Sequence, residues 1–253
     1  MNGKELVAHL RESILDDIYA PQLWSDTELL RMLNYAEVQA CRRAHLIIDA
    51  TTQNDLGTAA TASTNGTAGT NGIRSLCWVP IVADQATYNL SPKILQIKRC
   101  QLASMEYPLT GPVTYAELDD LAVGWFGTNG TVGTAGSSGY PTFFMNEPNN
   151  TLTFVKAPSV SDIARLVISR IPLWPFTLST SPEIDEQYHV DLCDWAAHLA
   201  YLKPDSETLN PNLAKYYEDA FTAKFGSLPD AYIQKTRKVI SQKQRMRPRE
   251  FGR

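Results

Sequence analysis

Apolar side chains recur at helical spacing in the first fifty residues. The first predicted helix has an apolar stripe at every fourth position: Leu6, Leu10, Ile14 and Ile18. Asp16-Asp17 and then Pro21 are expected to end this helix. Ser25 and Glu28 have the spacing of a capping box, which predicts the start of a second helix. The apolar face of this second helix comprises Leu29, Leu30, Leu33, Ala36 and Ala40.

Helical spacing returns near the C-terminal end of the sequence. Ser181 as N-cap and Pro182 as first helical residue predict the start of a third long helix. Its apolar positions continue up to Lys203-Pro204. A fourth helix is predicted from about Asn212 to Phe225, with Gly226 at its C-terminal end.

Between these helices the pattern changes to short apolar and β-branched runs. Strands are predicted over residues 76–82, 86–90, 94–102, 142–145, 152–155 and 164–171. The connections between them are too short for crossover helices, so we expect mostly antiparallel pairing. A short helix from Tyr115 to about Ala122 interrupts the strands, with Thr114 and Glu117 as its capping box. The predicted fold is therefore α+β, a helical bundle from the N- and C-terminal helices with a central antiparallel β region.

Two stretches are rich in Thr, Gly and Ala and poor in large apolar residues. They are residues 51–72 and 124–139, and both are expected to be long surface loops. The predicted organisation has four parts. They are a helical bundle of residues 1–50 and 181–227, a loop insertion at 51–75, a β-rich region at 76–180 and a basic C-terminal tail at 228–253.

The overall composition is ordinary, but the charge is distributed unevenly along the chain. The sequence has 253 residues, 43% hydrophobic and 20% charged, as in ordinary soluble globular proteins. Residues 234–253 contain eight Lys or Arg and one acid, so this tail carries +7 and the preceding residues −11. Such a tail is typical of a segment that docks on an acidic partner, and equally of a solvated, disordered terminus. No apolar run approaches the ~20 residues of a membrane span, so no membrane partner is expected.

Few residue patterns in this sequence indicate catalysis. Three residues share one face of the third predicted helix: Asp191, Asp194 and His198. A metal or acid–base role is possible for them, but a polar, solvated helix face is favoured. For Cys193, a buried structural cysteine is favoured over a nucleophile. Adjacent carboxylates such as Asp119-Asp120 are not expected to form the carboxylate pair of a glycoside hydrolase, because their side chains point in different directions. We therefore predict a protein that is not an enzyme, with no catalytic residue, no metal site and no cofactor.

The order of these features resembles a known family. The segment SILDDIYAPQLWSDTELLRMLNYAEVQACRRAHLI is similar to the N-terminal helix pair of the head-to-tail adaptors of short-tailed bacteriophages, also called connectors or tail tubular protein A-like proteins. In that family two acids and a Trp-Ser-Asp lead into a helix with an asparagine near its middle, here Asn34. The middle of the chain is similar too, in TYNLSPKILQIKRCQL and Gly139-Tyr140-Pro141. The stretch from Pro182 to Tyr201 resembles the start of the family's C-terminal helix pair.

The resemblance implies a structural virion protein at the head–tail junction, made in the host cytoplasm. Such adaptors form a ring, usually of twelve subunits, below the portal protein and provide a platform for tail nozzle or tail fibre proteins. Double-stranded DNA passes through the lumen without specific binding, and an acidic body would repel its phosphates. Two alternatives stay open: a peptidoglycan hydrolase that acts as the phage enters the cell, and a DNA-binding module that uses the basic tail.

Two groups of residues are candidate interaction sites. By resemblance, the basic tail is expected to lie along the portal through Arg237, Lys238, Lys243, Arg245, Arg247, Arg249 and Phe251. Three aromatic residues are expected at an inter-subunit or tail interface: Trp125, Phe126 and Tyr140. Ordinary core packing is the alternative for Trp125 and Phe126.

Overall fold

A computed structural model describes residues 1–55, 74–115, 117–118, 139–146, 150–204 and 208–229. Their α-helices include α1 (Gly3–Leu10), α2 (Asp26–Ala44), α3 (Leu192–Tyr201) and α4 (Pro211–Phe225). Their strands are β1 (Ile47–Asp49), β2 (Trp78–Ile81), β3 (Thr87–Asn89), β4 (Ile94–Leu102), β5 (Phe144–Met145), β6 (Thr151–Phe154) and β7 (Asp162–Arg170). The predicted α+β class is confirmed.

The chain divides into two compact units. The helical unit comprises Met1–Asp49 and Ser169–Leu228, and the β unit comprises the described residues of Ala50–Ile168 together with Pro229. One sheet has the strand order β1-β7-β2, with β4 also paired to β7. The other sheet has the order β3-β6-β5. The pairs β2–β7, β3–β6 and β5–β6 are antiparallel, as predicted from the short connections.

The predicted first helix is interrupted. α1 ends at Leu10 and continues as a π-helical turn, Arg11–Leu15, after which Asp16 has left-handed backbone angles. The predicted apolar stripe is therefore wrong at Ile18, which lies beyond the helix with half of its surface exposed. The physical reason is the buried Arg11 side chain, which binds the chain beyond the turn instead of facing solvent.

The second helix begins as its sequence predicts. The Ser25 hydroxyl accepts the Glu28 N–H at 3.2 Å. The Glu28 carboxylate instead accepts a hydrogen bond from Lys203 at 3.3 Å. The helix ends at Ala44, and His45 adopts left-handed angles after it.

The predicted start of the third helix is wrong. Residues 182–185 are not helical, Glu186–Tyr188 form a 3-10 turn, and α3 begins only at Leu192. The Glu37 carboxylate on α2 accepts the N–H groups of Glu183 and Ile184. This contact holds the segment away from a helix, although its local sequence favours one.

The fourth helix and most strands agree well with their predictions. α4 runs from Pro211 to Phe225, with Asn210 as N-cap and a positive φ of 82° at Gly226. β4 has the predicted bounds, and the other predicted strands differ from theirs by a few residues at the ends. The capping box of Thr114 and Glu117 is present, with hydrogen bonds of 2.9 to 3.3 Å. Residues 56–72 and 124–138 of the two predicted loops lie outside the described residues, as do residues 116 and 119–122 of the predicted short helix.

Each unit has its own core. In the helical unit, buried side chains of α1 and α2 pack with α3 and α4, and Trp195 contacts Phe221 with ring centroids 5.1 Å apart. In the β unit, Tyr88 and Phe154 are fully buried and meet edge to face at 5.9 Å. The Tyr88 hydroxyl accepts the N–H of Val82 at 3.0 Å, so its polar end is satisfied.

Candidate functional site

The structure describes one of the predicted site residues. All the predicted portal-binding residues of the tail lie outside the described part of the chain, as do Trp125 and Phe126. Tyr140 is described, and 72% of its surface is exposed. Its exposure agrees with a residue that is available to a partner, and its role stays a prediction.

Pro141, which follows Tyr140 in the sequence, lines a depression together with a second exposed tyrosine that the sequence analysis missed. A depression of about 290 Å³ is lined by residues 105–110 together with Pro141 and Thr142. Tyr107, in this lining, is 75% exposed. We call Met105–Thr110 with Tyr140–Thr142 the tyrosine surface. A repeated dipeptide was the available signal, because each tyrosine is followed by a proline: Tyr107-Pro108 and Tyr140-Pro141.

Hydrogen bonds fix the backbone of the tyrosine surface. The Gln101 side-chain amide donates to the carbonyls of Met105 and Glu106 at 2.9 and 3.1 Å. The Thr110 N–H donates to the Thr142 carbonyl at 2.9 Å, which ties the two segments together. The tyrosines are thus presented by a preformed backbone, which lowers the entropy lost when a partner binds.

In the helical unit, the residues that carry the family resemblance act as structural clamps. The buried Arg11 guanidinium binds the Asp17 carboxylate at 2.6 Å and the Asp26 carboxylate at 2.7 Å. Asp17 also accepts the N–H groups of Leu23 and Trp24 at 3.0 and 3.3 Å. The two-acid and Trp-Ser-Asp motif is therefore one hydrogen-bonded turn that leads into α2.

Asn34 forms a second clamp in the middle of α2. Its side-chain oxygen accepts the Phe176 N–H at 2.8 Å, and its amide donates to the Phe176 carbonyl at 3.1 Å. Both backbone groups of one distant residue are satisfied by one side chain. This clamp fixes part of the connecting segment, residues 171–185, against α2.

A buried ionic cluster holds the other end of the connecting segment. Arg170 binds the Asp49 carboxylate at 2.7 Å and also binds the Glu183 carboxylate. Glu37 accepts the N–H groups of Glu183 and Ile184 at 2.6 and 3.3 Å. Burial raises the pKa of Glu37 to about 7, although the two backbone donors oppose the shift. Glu37 therefore lies close to the point at which it exchanges a proton at neutral pH.

The residues with a possible catalytic role are used structurally. Asp191 and Asp194 bind the Lys224 ammonium at 2.6 and 3.1 Å. The His198 ring nitrogen pairs with the Ala214 carbonyl at 2.8 Å. His198 is buried, so the predicted solvated helix face is wrong at this residue, because α4 covers it.

The predicted buried structural role of Cys193 agrees with the structure. Cys193 is fully buried, and desolvation raises the pKa of its thiol to about 12. The thiol is therefore protonated at neutral pH. A protonated, buried thiol is a poor nucleophile.

Within the described ranges, no cluster of three His, Cys, Asp or Glu residues could hold a metal ion. None of the helices described is both long and apolar enough to cross a membrane.

The two units differ strongly in charge. Counted on the sequence, the helical unit has nine Lys or Arg and 17 Asp or Glu, a net −8. Residues 50–168 have six basic and eight acidic side chains, a net −2. Most of the negative charge that balances the basic tail therefore belongs to the helical unit.

Comparison with known protein families identifies one whose sequence model matches the chain. No curated protein matches the chain. The sequence model of the family described as SU10 adaptor protein matches residues 1–249, which is nearly the entire chain and includes both units. The chain therefore belongs to the SU10 adaptor protein family, a family of structural phage proteins that join the head to the tail.

Proposed function

We propose that this chain is the head-to-tail adaptor of a short-tailed phage. It forms a ring, usually of twelve subunits, below the portal, extends the DNA channel and carries the proteins of the tail. The observation that carries the proposal is the family match over residues 1–249, because it includes the helical unit, the β unit and most of the basic tail.

The charge of the helical unit supports a passage for DNA. With a net charge of −8, the helical unit would repel the phosphates of DNA. A basic lumen would instead bind the duplex and slow its movement. Double-stranded DNA then passes through the lumen without specific binding. The same charge disfavours a DNA-binding role for the helical unit.

The basic tail is the proposed attachment to the portal. Five of its seven proposed contact residues are Arg237, Lys238, Arg245, Arg247 and Arg249, with Lys243 and Phe251 completing the set. Arginine is favoured for such a contact because its planar fork binds carboxylates through two hydrogen bonds. Each well-desolvated pair contributes about 1–3 kcal/mol, and an exposed pair contributes much less.

Truncation of the tail tests this attachment. Removal of residues 234–253 should abolish or strongly weaken binding to purified portal rings, measured by co-sedimentation. The melting temperature of the isolated protein should stay unchanged, since the helical and β cores described above lie outside the tail. Raising the salt concentration should weaken binding of the full chain in the same direction. Equal binding by the truncated and full chains would contradict the proposed role of the tail.

The two alternative functions give different results in the same experiments. A DNA-binding tail predicts that truncation removes DNA affinity and leaves portal binding intact. A peptidoglycan hydrolase predicts clearing in a zymogram that disappears when one carboxylate is replaced. We expect neither result, and Asp191 and Asp194 are already paired with Lys224.

A further inference from the structure

We propose that Arg43 and Gly226 aim the basic tail, because together they fix the direction in which the chain leaves α4. This inference rests on the proposed attachment of the tail to the portal and names the residues that position it. Residues 227–229 are the described residues that follow Gly226, and we call them the lead-out segment. Its first two residues are exposed, whereas Phe225, the last residue of α4, is buried. The chain therefore turns away from the helical core at Gly226.

Gly226 contributes a backbone direction and not merely space. Its φ of 82° and ψ of 170° lie in a region that only glycine adopts readily. A Cβ atom added here would meet no described atom within 4 Å apart from its chain neighbours, so a side chain would fit. The backbone angles are therefore the property for which this position requires glycine.

The Arg43 guanidinium holds the backbone of Gly226. Its Nη1 donates to the Gly226 carbonyl at 3.1 Å and to the Thr222 hydroxyl at 2.9 Å. The Gly226 N–H donates to the Thr222 carbonyl at 2.8 Å. Both polar backbone groups of Gly226 are thus tied, one to α2 and the other to α4. The carbonyl belongs to the peptide plane that leads into the lead-out segment, so its contact with Arg43 fixes the direction of exit.

Two aromatic rings keep the Arg43 side chain in place. Its guanidinium carbon lies 4.8 Å from the Trp195 ring centre and 5.0 Å from the Phe221 ring centre. Arg43 is buried, and its Nε has no hydrogen-bond partner in the described part of the chain. Burying a cation with an unpaired N–H costs free energy, which an apolar side chain at this position would not. A role in stability alone therefore does not account for the arginine, whereas a fixed contact with the Gly226 carbonyl does.

The lead-out segment passes this direction on to the tail. The ring of Pro229 restricts its φ, and the residue before a proline, here Leu228, is largely confined to extended conformations. The segment is short, so few rotatable backbone angles separate Gly226 from the start of the tail. A tail that begins in the productive direction loses less entropy when its basic residues bind carboxylates of the portal.

Spin-label distances test the direction of exit in the full-length chain. One label would be attached at Leu228→Cys in the lead-out segment and the other at Tyr35→Cys on α2, because both positions are exposed and belong to the helical unit. The four native cysteines are buried and give little background. The distance distribution should be narrow in this double-cysteine chain. Adding Arg43→Met or Gly226→Ala should broaden it or shift its maximum.

Binding to portal rings tests whether this direction matters for attachment. Arg43→Met and Gly226→Ala should each raise the dissociation constant for purified portal rings at least about tenfold. Methionine keeps an unbranched apolar side chain against the two rings, and water can replace the lost hydrogen bond at the exposed Gly226. The melting temperature of the Arg43→Met chain should therefore fall by no more than about 4 °C.

Two control variants separate direction from stability. Asn34→Ala removes a clamp elsewhere in the helical unit and should lower the melting temperature at least as much as Arg43→Met. Gly139→Ala adds a methyl group at another glycine whose Cβ would meet no described atom within 4 Å, but whose φ is not positive. Both controls should leave the dissociation constant within about twofold and the spin-label distances unchanged.

The outcomes separate this inference from the proposed function. Normal portal binding by Arg43→Met and Gly226→Ala, with binding lost on removal of residues 234–253, would overturn the inference and leave the proposed attachment intact. Equal weakening by Asn34→Ala would also overturn it, since stability would then explain the loss, and so would unchanged spin-label distances in both variants. Undiminished binding by the truncated chain would contradict both. Altered distances and weakened binding in the Arg43 and Gly226 variants, with both controls unaffected, would support the inference.

Discussion

The helical and β units use their buried polar residues differently. In the described part of the chain, the buried charged side chains all belong to the helical unit: Arg11, Asp17, Glu37, Arg43, Asp49 and Arg170. The buried polar side chains of the β unit are neutral: Asn54, Ser75, Ser91, Thr114, Asn146, Thr151 and Thr153. Buried charges are costly to leave unpaired, so these hydrogen-bonded ion pairs favour one arrangement of the helices and the connecting segment. The β unit depends instead on apolar burial and turns.

The largest expected effect comes from removing the cation of the buried cluster. Arg170→Ala leaves the carboxylates of Asp49 and Glu183 without their shared partner, so the free energy of unfolding should fall by about 3–5 kcal/mol. Urea unfolding measures this loss. The matched control is Arg165→Ala on the same strand, because Arg165 is exposed and its guanidinium lies 5.6 Å from the Trp78 ring. This control should cost at most about 1 kcal/mol. Equal losses would remove the distinction between the units.

The next largest effect is expected in the pH dependence of the free energy of unfolding, through Glu37 of the helical unit. The pKa of Glu37 is about 7 in the folded chain and about 4.5 when unfolded, so folding favours the protonated form. The contribution of Glu37 to the free energy of unfolding is complete below about pH 4.5 and is lost as the pH rises through 7. The loss amounts to about 3 kcal/mol. Glu37→Gln should remove that loss.

Hydrogen exchange can assign the pH effect to one unit. Amides of α2 should become less protected between pH 5 and 8 after correction for intrinsic exchange, whereas those of β3 and β6 should not follow Glu37. A wild-type chain and a Glu37→Gln chain with the same pH dependence would show that Glu37 does not titrate in this range.

A smaller effect is expected from the neutral clamp of the helical unit. Asn34→Ala leaves the N–H and carbonyl of Phe176 without their partner, at a cost of about 2 kcal/mol. Asn212→Ala on α4 is the control, since this exposed asparagine should contribute less than about 0.5 kcal/mol. Thermal unfolding of both variants measures the difference. A stable Asn34→Ala chain would mean that the connecting segment does not depend on this clamp.

The smallest effect is expected in the β unit, from shortening its first loop. Asp55 and Arg74 are hydrogen-bonded at the base of this loop, through a backbone contact of 3.0 Å and a side-chain contact of 3.0 Å. Deletion of Thr58–Gly69 leaves six residues between them and should change the free energy of unfolding by less than about 1 kcal/mol. A chain that unfolds after this deletion would show that the removed residues contribute to a core.

Elements with a local cause were predictable from the sequence. The ends of α4 follow from Asn210, Pro211 and Gly226, and the bounds of β4 follow from its apolar run. The start of α3 was not predictable, because Glu37 lies about 146 positions from Glu183 in the chain. Ser181-Pro182 resembles a helix start locally, and a distant carboxylate overrides it. The π-helical turn after α1 was not predictable either, because it depends on contacts of the buried Arg11 side chain with residues beyond the turn.

The candidate sites were predictable only in part. Tyr140, in the Gly139-Tyr140-Pro141 segment of the family resemblance, was among the aromatic residues expected at an interface, and its exposure agrees with a residue that is available to a partner. Tyr107 was missed although its Tyr-Pro dipeptide repeats that of Tyr140, because the Thr110 N–H and the Thr142 carbonyl that join the two segments are distant in the sequence. No short sequence pattern reports that two such distant segments meet.

Electron microscopy of negatively stained particles tests the adaptor function most directly. The full chain would be mixed with purified portal rings, and the chain lacking residues 234–253 would serve as control. The account predicts portal rings with a second ring, usually of twelve subunits, stacked on one end in the full-chain sample and missing in the control. Bare portal rings beside free monomers of the full chain would contradict it.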